Sequence, residues 1–182
     1  MPEVIYSASD AGDYEAFALL VGAYVAWCRS RYADLDWFVQ EVFGHQSLET
    51  ELAALPIVYG PPSGRALLVR SDHQVCGGGV YRKLPDGSCE MKRLFVADQF
   101  KGRGIGRKLC EALISSARED GCELMRLDTG NRLTEAISMY KSFGFRDCAP
   151  HHEYPTHLTP YLVFMELPIT QSQKSANQGD IS

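Results

Sequence analysis

Apolar positions along this chain follow two spacings, and the predicted elements change where one gives way to the other. Residues 3–9 read as a short strand. Asp10 then stands where a helix N-cap belongs, with Asp13 three residues on favouring the same terminus. Phe17, Leu20, Val21, Tyr24 and Cys28 follow at helical intervals and form one apolar face. A second helix is predicted over 35–55, broken or bent near Gly44, before the loop Pro61-Pro62-Ser63-Gly64.

Strand texture takes over from there. Segments 65–70 and 74–84 flank a Ser71-Asp72-His73 turn, and Pro85-Asp86-Gly87 precedes a strand over 89–96. Three strands joined by tight turns predict an antiparallel meander. A helix over 102–119 follows, with Ile105, Leu109, Leu113, Ile114 and Ala117 on one side and Gly121 as its C-terminal stop. A strand over 122–128, a helix over 134–143 closed by Gly144, and a strand over 161–169 complete the pattern. The polar, aperiodic stretch 170–182 is predicted to be a disordered tail, leaving 1–169 as a single domain. The order β-α-α-β-β-β-α-β-α-β-β predicts an α/β (mixed α+β) fold with helices on both faces of a mixed sheet. The strand after a helical crossover should run parallel to the strand before it.

Composition narrows the function. At 182 residues, 45% hydrophobic and 23% charged, the chain has the size and make-up of one soluble domain. Its net charge of −5 argues against nucleic acid or an anionic membrane as partner, since both need a clustered positive field. No basic and apolar leader and no 20-residue apolar run is present, so a cytoplasmic location is expected. The six cysteines are scattered without a C-x-x-C pair, which predicts buried free thiols. His151, His152 and His157 lack metal-ligand spacing, and no metal is expected. Gly77-Gly78-Gly79 inside a strand predicts a bulge or a close backbone approach. Trp27, Tyr32 and Trp37 read either as packing or as lining of an acceptor pocket.

The most informative stretch runs from Glu90 to Arg107, where a strand hands over to a helix start punctuated by Gly102, Gly104 and Gly106. Amides of a helix's first turn have no internal partner, carry the positive end of the dipole, and bind phosphate or pyrophosphate. Lys101, Arg103 and Arg107 add charge beside them. A P-loop is excluded because Gly106 is followed by Arg107-Lys108 rather than Lys-Ser/Thr. A dinucleotide fingerprint matches Gly102, Gly104 and the later Asp128, but Arg107 occupies its third small position. A glycine-rich helix start without a ligand stays open on spacing alone.

The motifs Lys101-x-x-Gly104-x-Gly106 and Ala136-Ile137-Ser138-Met139-Tyr140-Lys141-Ser142-Phe143-Gly144-Phe145, in that order, resemble the GNAT superfamily of acyl-CoA-dependent N-acetyltransferases. The resemblance implies a twisted sheet of about seven strands with a splayed parallel pair, and acetyl-CoA as co-substrate. It implies that the pantetheine lies against the backbone of Leu94, Phe95 and Val96, and the pyrophosphate on Lys101, Gly102, Arg103, Gly104, Ile105, Gly106 and Arg107. Leu133 stands where the family often has a CoA-contacting asparagine, and Asn131 is the substitute expected. Tyr140 is implied as the acid for the leaving thiolate; its helical spacing alone equally fits a core tyrosine. Glu90 is expected as the base that deprotonates a small-molecule or protein amine, against a surface residue paired with Lys92. A non-catalytic acyl-CoA sensor of the same fold is the alternative.

Overall fold

The computed structural model describes residues 2–170. Strand β1, Val4–Ser7, leads into helix α1, Ala11–Arg31. Asp10 caps α1 by accepting the Asp13 amide at 2.9 Å, and the Asp13 carboxylate accepts the Ser9 amide at 2.9 Å, so two otherwise unpaired donors are satisfied reciprocally. Where one bent helix was predicted, three occur: α2, Asp36–His45, α3, Leu48–Ala53, and α4, Leu55–Tyr59. The first break falls at Ser47, in the left-handed region at φ 53°, rather than at Gly44. The second falls before Pro56, which has no amide to donate and suits a helix's first turn.

The meander is β2, Gly64–Ser71, β3, Gln74–Lys83, and β4, Cys89–Val96. Asp72 and His73, both at positive φ, make the two-residue turn that matches strand twist. Helix α5, Ile105–Glu119, begins three residues later than predicted because Gly102 and Gly104 take φ of 79° and 76°, which no helix continues. Then come β5, Leu124–Gly130, α6, Thr134–Ser142, the short β6, Arg146–Asp147, and β7, Leu162–Pro168. One seven-stranded sheet results, in the order β1-β2-β3-β4-β5-β7-β6, antiparallel except for β4 and β5.

Alternation along β2 explains the layers. Leu67 and Val69 pack in the core with Ile105, Leu109 and Leu113 of α5, while Ala66 and Leu68 pack with Phe17, Leu20 and Val21 of α1. The glycine run in β3 lets both helices sit down on the sheet. A Cβ on Gly78 would lie 3.0 Å from Phe17 Cδ2, and one on Gly79 would lie 2.9 Å from Leu113 Cδ1. Five of the cysteines are buried and Cys148 is partly so; all are free thiols. Burial pushes Cys28 up to about 11 and Cys110 up to about 12, so neither is a nucleophile at neutral pH. Among the described residues no helix is long and apolar enough to cross a membrane.

Candidate active site

The site begins with a fault in the sheet. Val80 of β3 faces Lys92 and Gly78 faces Phe95, so Arg93 and Leu94 together oppose Gly79. This is a β-bulge, and Arg93 takes φ 57° to form it. On the other edge β4 pairs with β5 only through Cys89–Met125 and Glu90–Arg126, after which the strands part. The gap opens into a cleft of about 510 Å³, walled by residues 91–96 of β4, by Leu127 to Thr129 of β5, by Tyr24 and Trp27 of α1 and by Ala136, Met139 and Tyr140 of α6.

One end of the cleft is the glycine turn. Gly102, Gly104, Ile105, Gly106 and Lys101 line it. Among the described residues the amides of Gly102, Arg103, Gly104, Ile105, Gly106 and Arg107 make no hydrogen bond, whereas the Lys101 amide donates to Asp98 O at 3.2 Å. Nothing lies within 4 Å of a Cβ placed on Gly102 or Gly104, so these glycines are required by backbone conformation and leave the amides open. The Lys101 ammonium is 4.2 Å from the Trp27 ring centroid and pairs with Asp98 at 2.5 Å. Arg103 stacks on Phe100, and Arg107 lies over Phe143 while donating to Ser142 Oγ at 2.7 Å; both flank the turn without lining the cleft.

Leu94, Phe95, Val96 and Tyr140 also line the cleft. Tyr140 is 7% exposed, its ring edge-on to Phe145 at 5.6 Å. Burial, with a smaller contribution from Cys110, pushes its phenol well above the usual tyrosine range, so it stays protonated.

Two expected residues lie elsewhere. Asn131 accepts from the Tyr32 hydroxyl at 3.1 Å and donates to Pro160 O at 3.1 Å, which ties two segments together off the cleft, and Leu133 lines the wall instead. Glu90 is fully buried behind the cleft rather than on a surface. Its Oε2 accepts from Arg82 Nε at 2.8 Å, and its Oε1 is 2.5 Å from His152 Nε2. Burial would raise its pKa, but the His152 contact and the charges of Lys92 and Arg82 outweigh it and hold the carboxyl down at about 2.

Two carboxylates line the cleft, Glu135, which pairs with Arg31 at its outer side, and Asp128 of β5. Register places Arg126 opposite Glu90, and the strand period of two puts Asp128 on that same face, one step further where the strands have parted. Its Oδ2 accepts from Tyr154 at 3.0 Å and from Gln46 at 3.3 Å. Asp128 also borders a smaller cavity of about 50 Å³ lined by Tyr24, Tyr32, Phe38 and Phe43, with Lys92 and Arg93 at its edge. Of the three aromatics singled out in the sequence, Trp27 is in the cleft, Tyr32 in this smaller cavity, and Trp37 packs against Phe38, His157 and Tyr161.

Residues 20–145 match the acetyltransferase (GNAT) family. The chain is 35% identical over 128 residues to an uncharacterized N-acetyltransferase of Schizosaccharomyces pombe, covering 69% of this chain and 77% of the relative. It is 34% identical over 140 residues to the IAA acetyltransferase of Azospirillum brasilense, covering 75% and 86%. Among solved structures, a GNAT-family acetyltransferase of Staphylococcus aureus superposes with TM-score 0.70 at 17% identity, covering 93% of this chain and 100% of that one. A Salmonella typhimurium protein solved with its cofactor acetyl-CoA superposes with TM-score 0.64 at 21% identity, covering 95% and 97%. A seven-stranded sheet that parts between its parallel strands over a glycine turn, and a family match across that region, agree: the chain belongs to the GNAT acetyltransferase family.

Proposed function

We propose that this protein is an N-acetyltransferase that moves an acetyl group from acetyl-CoA to a primary amine of a small molecule or a protein. The observation that carries the reading is the cleft between β4 and β5, which ends on six unpaired amides at the glycine turn. Those amides and the α5 dipole suit a pyrophosphate. The parted edge of β4 from Leu94 to Val96 suits a pantetheine arm, whose amides bond as an added strand would.

The chemistry is direct. An amine nitrogen attacks the thioester carbon, the carbonyl oxygen takes negative charge, and a β4 amide opposite it stabilises that charge. The carbon–sulfur bond then breaks, and the thiolate takes a proton from Tyr140, which burial keeps protonated until then; the second proton, shed by the newly acylated nitrogen, returns through solvent in the cleft to restore the phenol. The amine, protonated in water with a pKa of about 10.4, must lose its proton. Asp128 receives it, being the half-buried carboxylate where the cleft meets the smaller cavity; Glu90, fully buried behind it, contributes a fixed negative charge.

The test is isothermal titration of the purified chain with CoA, followed by thiol release from acetyl-CoA with a panel of primary amines. Saturable CoA binding and amine-dependent release are expected. A chain that takes up no CoA sinks the reading; one that binds CoA but acetylates nothing across the panel supports a sensor of the same fold.

A further inference from the structure

Where β4 and β5 part, just past their last registered pair, four potential ligands converge from three separate parts of the chain. Glu90 comes from β4, Asp128 from β5, and His151 and His152 from the segment before β7. One donor atom from each lies within 4.8 Å of all the others. His152 Nε2 is 2.5 Å and His151 Nε2 4.0 Å from the same Glu90 oxygen.

His151 is the anomaly. Its side chain is only 6% exposed, and both ring nitrogens are shut from solvent without a hydrogen-bond partner among the described residues. Buried polar atoms in folded proteins nearly always have partners, and a ring with two orphans beside two carboxylates calls for a ligand.

We propose that Glu90, Asp128, His151 and His152 form a binding site for a divalent transition-metal ion, zinc foremost. Two imidazoles and two carboxylates suit zinc in tetrahedral geometry, whereas magnesium and calcium prefer oxygen alone. Each carboxylate is already oriented from behind, Glu90 by Arg82 and Asp128 by Tyr154 and Gln46. Bonds of about 2.0–2.1 Å place tetrahedral ligands about 3.3 Å apart, so the widest separation must close by about 1.5 Å. Residues 148–158 form no helix or strand and can make that adjustment. Arg82, paired with Glu90 beside the site, competes for its charge and lowers the affinity for a cation. The sequence expectation of no metal rested on spacing, and spacing is silent when ligands come from distant segments. An ion here would compete with the amine's proton for Asp128, but the site itself does not depend on the acetyl-transfer reading.

The metal-free full chain is titrated with ZnCl2 by calorimetry and with CoCl2 by visible absorption. One-to-one saturation, tetrahedral cobalt bands and a thermal midpoint raised by about 5–10 °C at 100-fold excess over Kd are expected. His151→Ala should weaken binding at least about tenfold, as loss of metal-site residues does elsewhere. His157→Ala, at a surface pair with Glu41, should leave it unchanged. Circular dichroism verifies folding, and Asp128→Asn replaces His151→Ala should that variant not fold. Absence of saturable zinc heat and cobalt bands overturns the site, as does binding by the ligand variants as tight as the parent's.

Discussion

Arg93 and Glu51 form a buried two-point ion pair, Nε to Oε1 at 3.0 Å and Nη2 to Oε2 at 3.1 Å, that joins the bulge of β4 to helix α3. Arg93 also donates to Gln46 Oε1 at 2.7 Å, so the helical segment is anchored at the residue that shapes the cleft edge. Removing one partner of such a pair strands a buried charge. Glu51→Ala is expected to cost about 3–5 kcal/mol in urea unfolding, and a loss under about 1 kcal/mol would show the pair to be dispensable.

The same pair makes a pH prediction. Burial would raise the Glu51 pKa, but Arg93, with Lys92, holds it below its ordinary 4.5. A folded pKa below the unfolded one gives stability that is complete above the ordinary value and is lost as pH falls through the folded value. The parent should therefore lose stability below pH 4.5 more steeply than Glu51→Gln. Parallel acid limbs in urea midpoints would contradict it.

Tyr140→Phe keeps the ring packing on Phe145 and removes only the hydroxyl. Turnover should fall about 100-fold, within the range for a lost acid catalyst, while the Kd for acetyl-CoA stays within about twofold. Unchanged kcat returns Tyr140 to the core.

Gly104→Ala tests the turn. A Cβ there meets no atom within 4 Å, so the penalty is conformational, about 1–2 kcal/mol at φ 76°. The turn relaxes, its amides diverge, and CoA affinity should drop at least about tenfold in calorimetry. Gly106, inside α5 with no left-handed requirement, supplies the control: Gly106→Ala should not destabilise the fold.

Asp128 and Glu90 separate by readout. Asp128→Asn should lower kcat by about 100-fold with little change in acetyl-CoA binding. Glu90→Gln should chiefly lower stability, by about 3 kcal/mol, because it unbalances Arg82 behind the sheet. The reverse pattern would hand the proton to Glu90.

Local rules wrote much of this fold. The Asp10 cap, the meander turns, the stops at Gly121 and Gly144 and the open glycine turn depend on neighbours in sequence, and each stands where the spacing placed it or within three residues. What stayed hidden depends on distant partners. The Ser47 break turns Glu51 inward to Arg93, 42 residues away, and neither residue advertises the other. Asp128 was visible only as a strand end and as the acid of a rejected dinucleotide fingerprint, and its place beside Glu90 follows from the Glu90–Arg126 register, which no local pattern gives. Asn131 was assigned from a shifted motif position, which Tyr32 and Pro160 claim instead.

Two registered pairs are all that stitch β4 to β5, so the sheet is two leaves bound along a short spine. Whatever lies between the leaves takes the place of the missing ladder as a rung. Such a rung is recognised by its own peptide-like donors and acceptors rather than by any side chain of the host. Side chains along the parted edges can therefore change without altering that recognition, because it is made by main-chain groups.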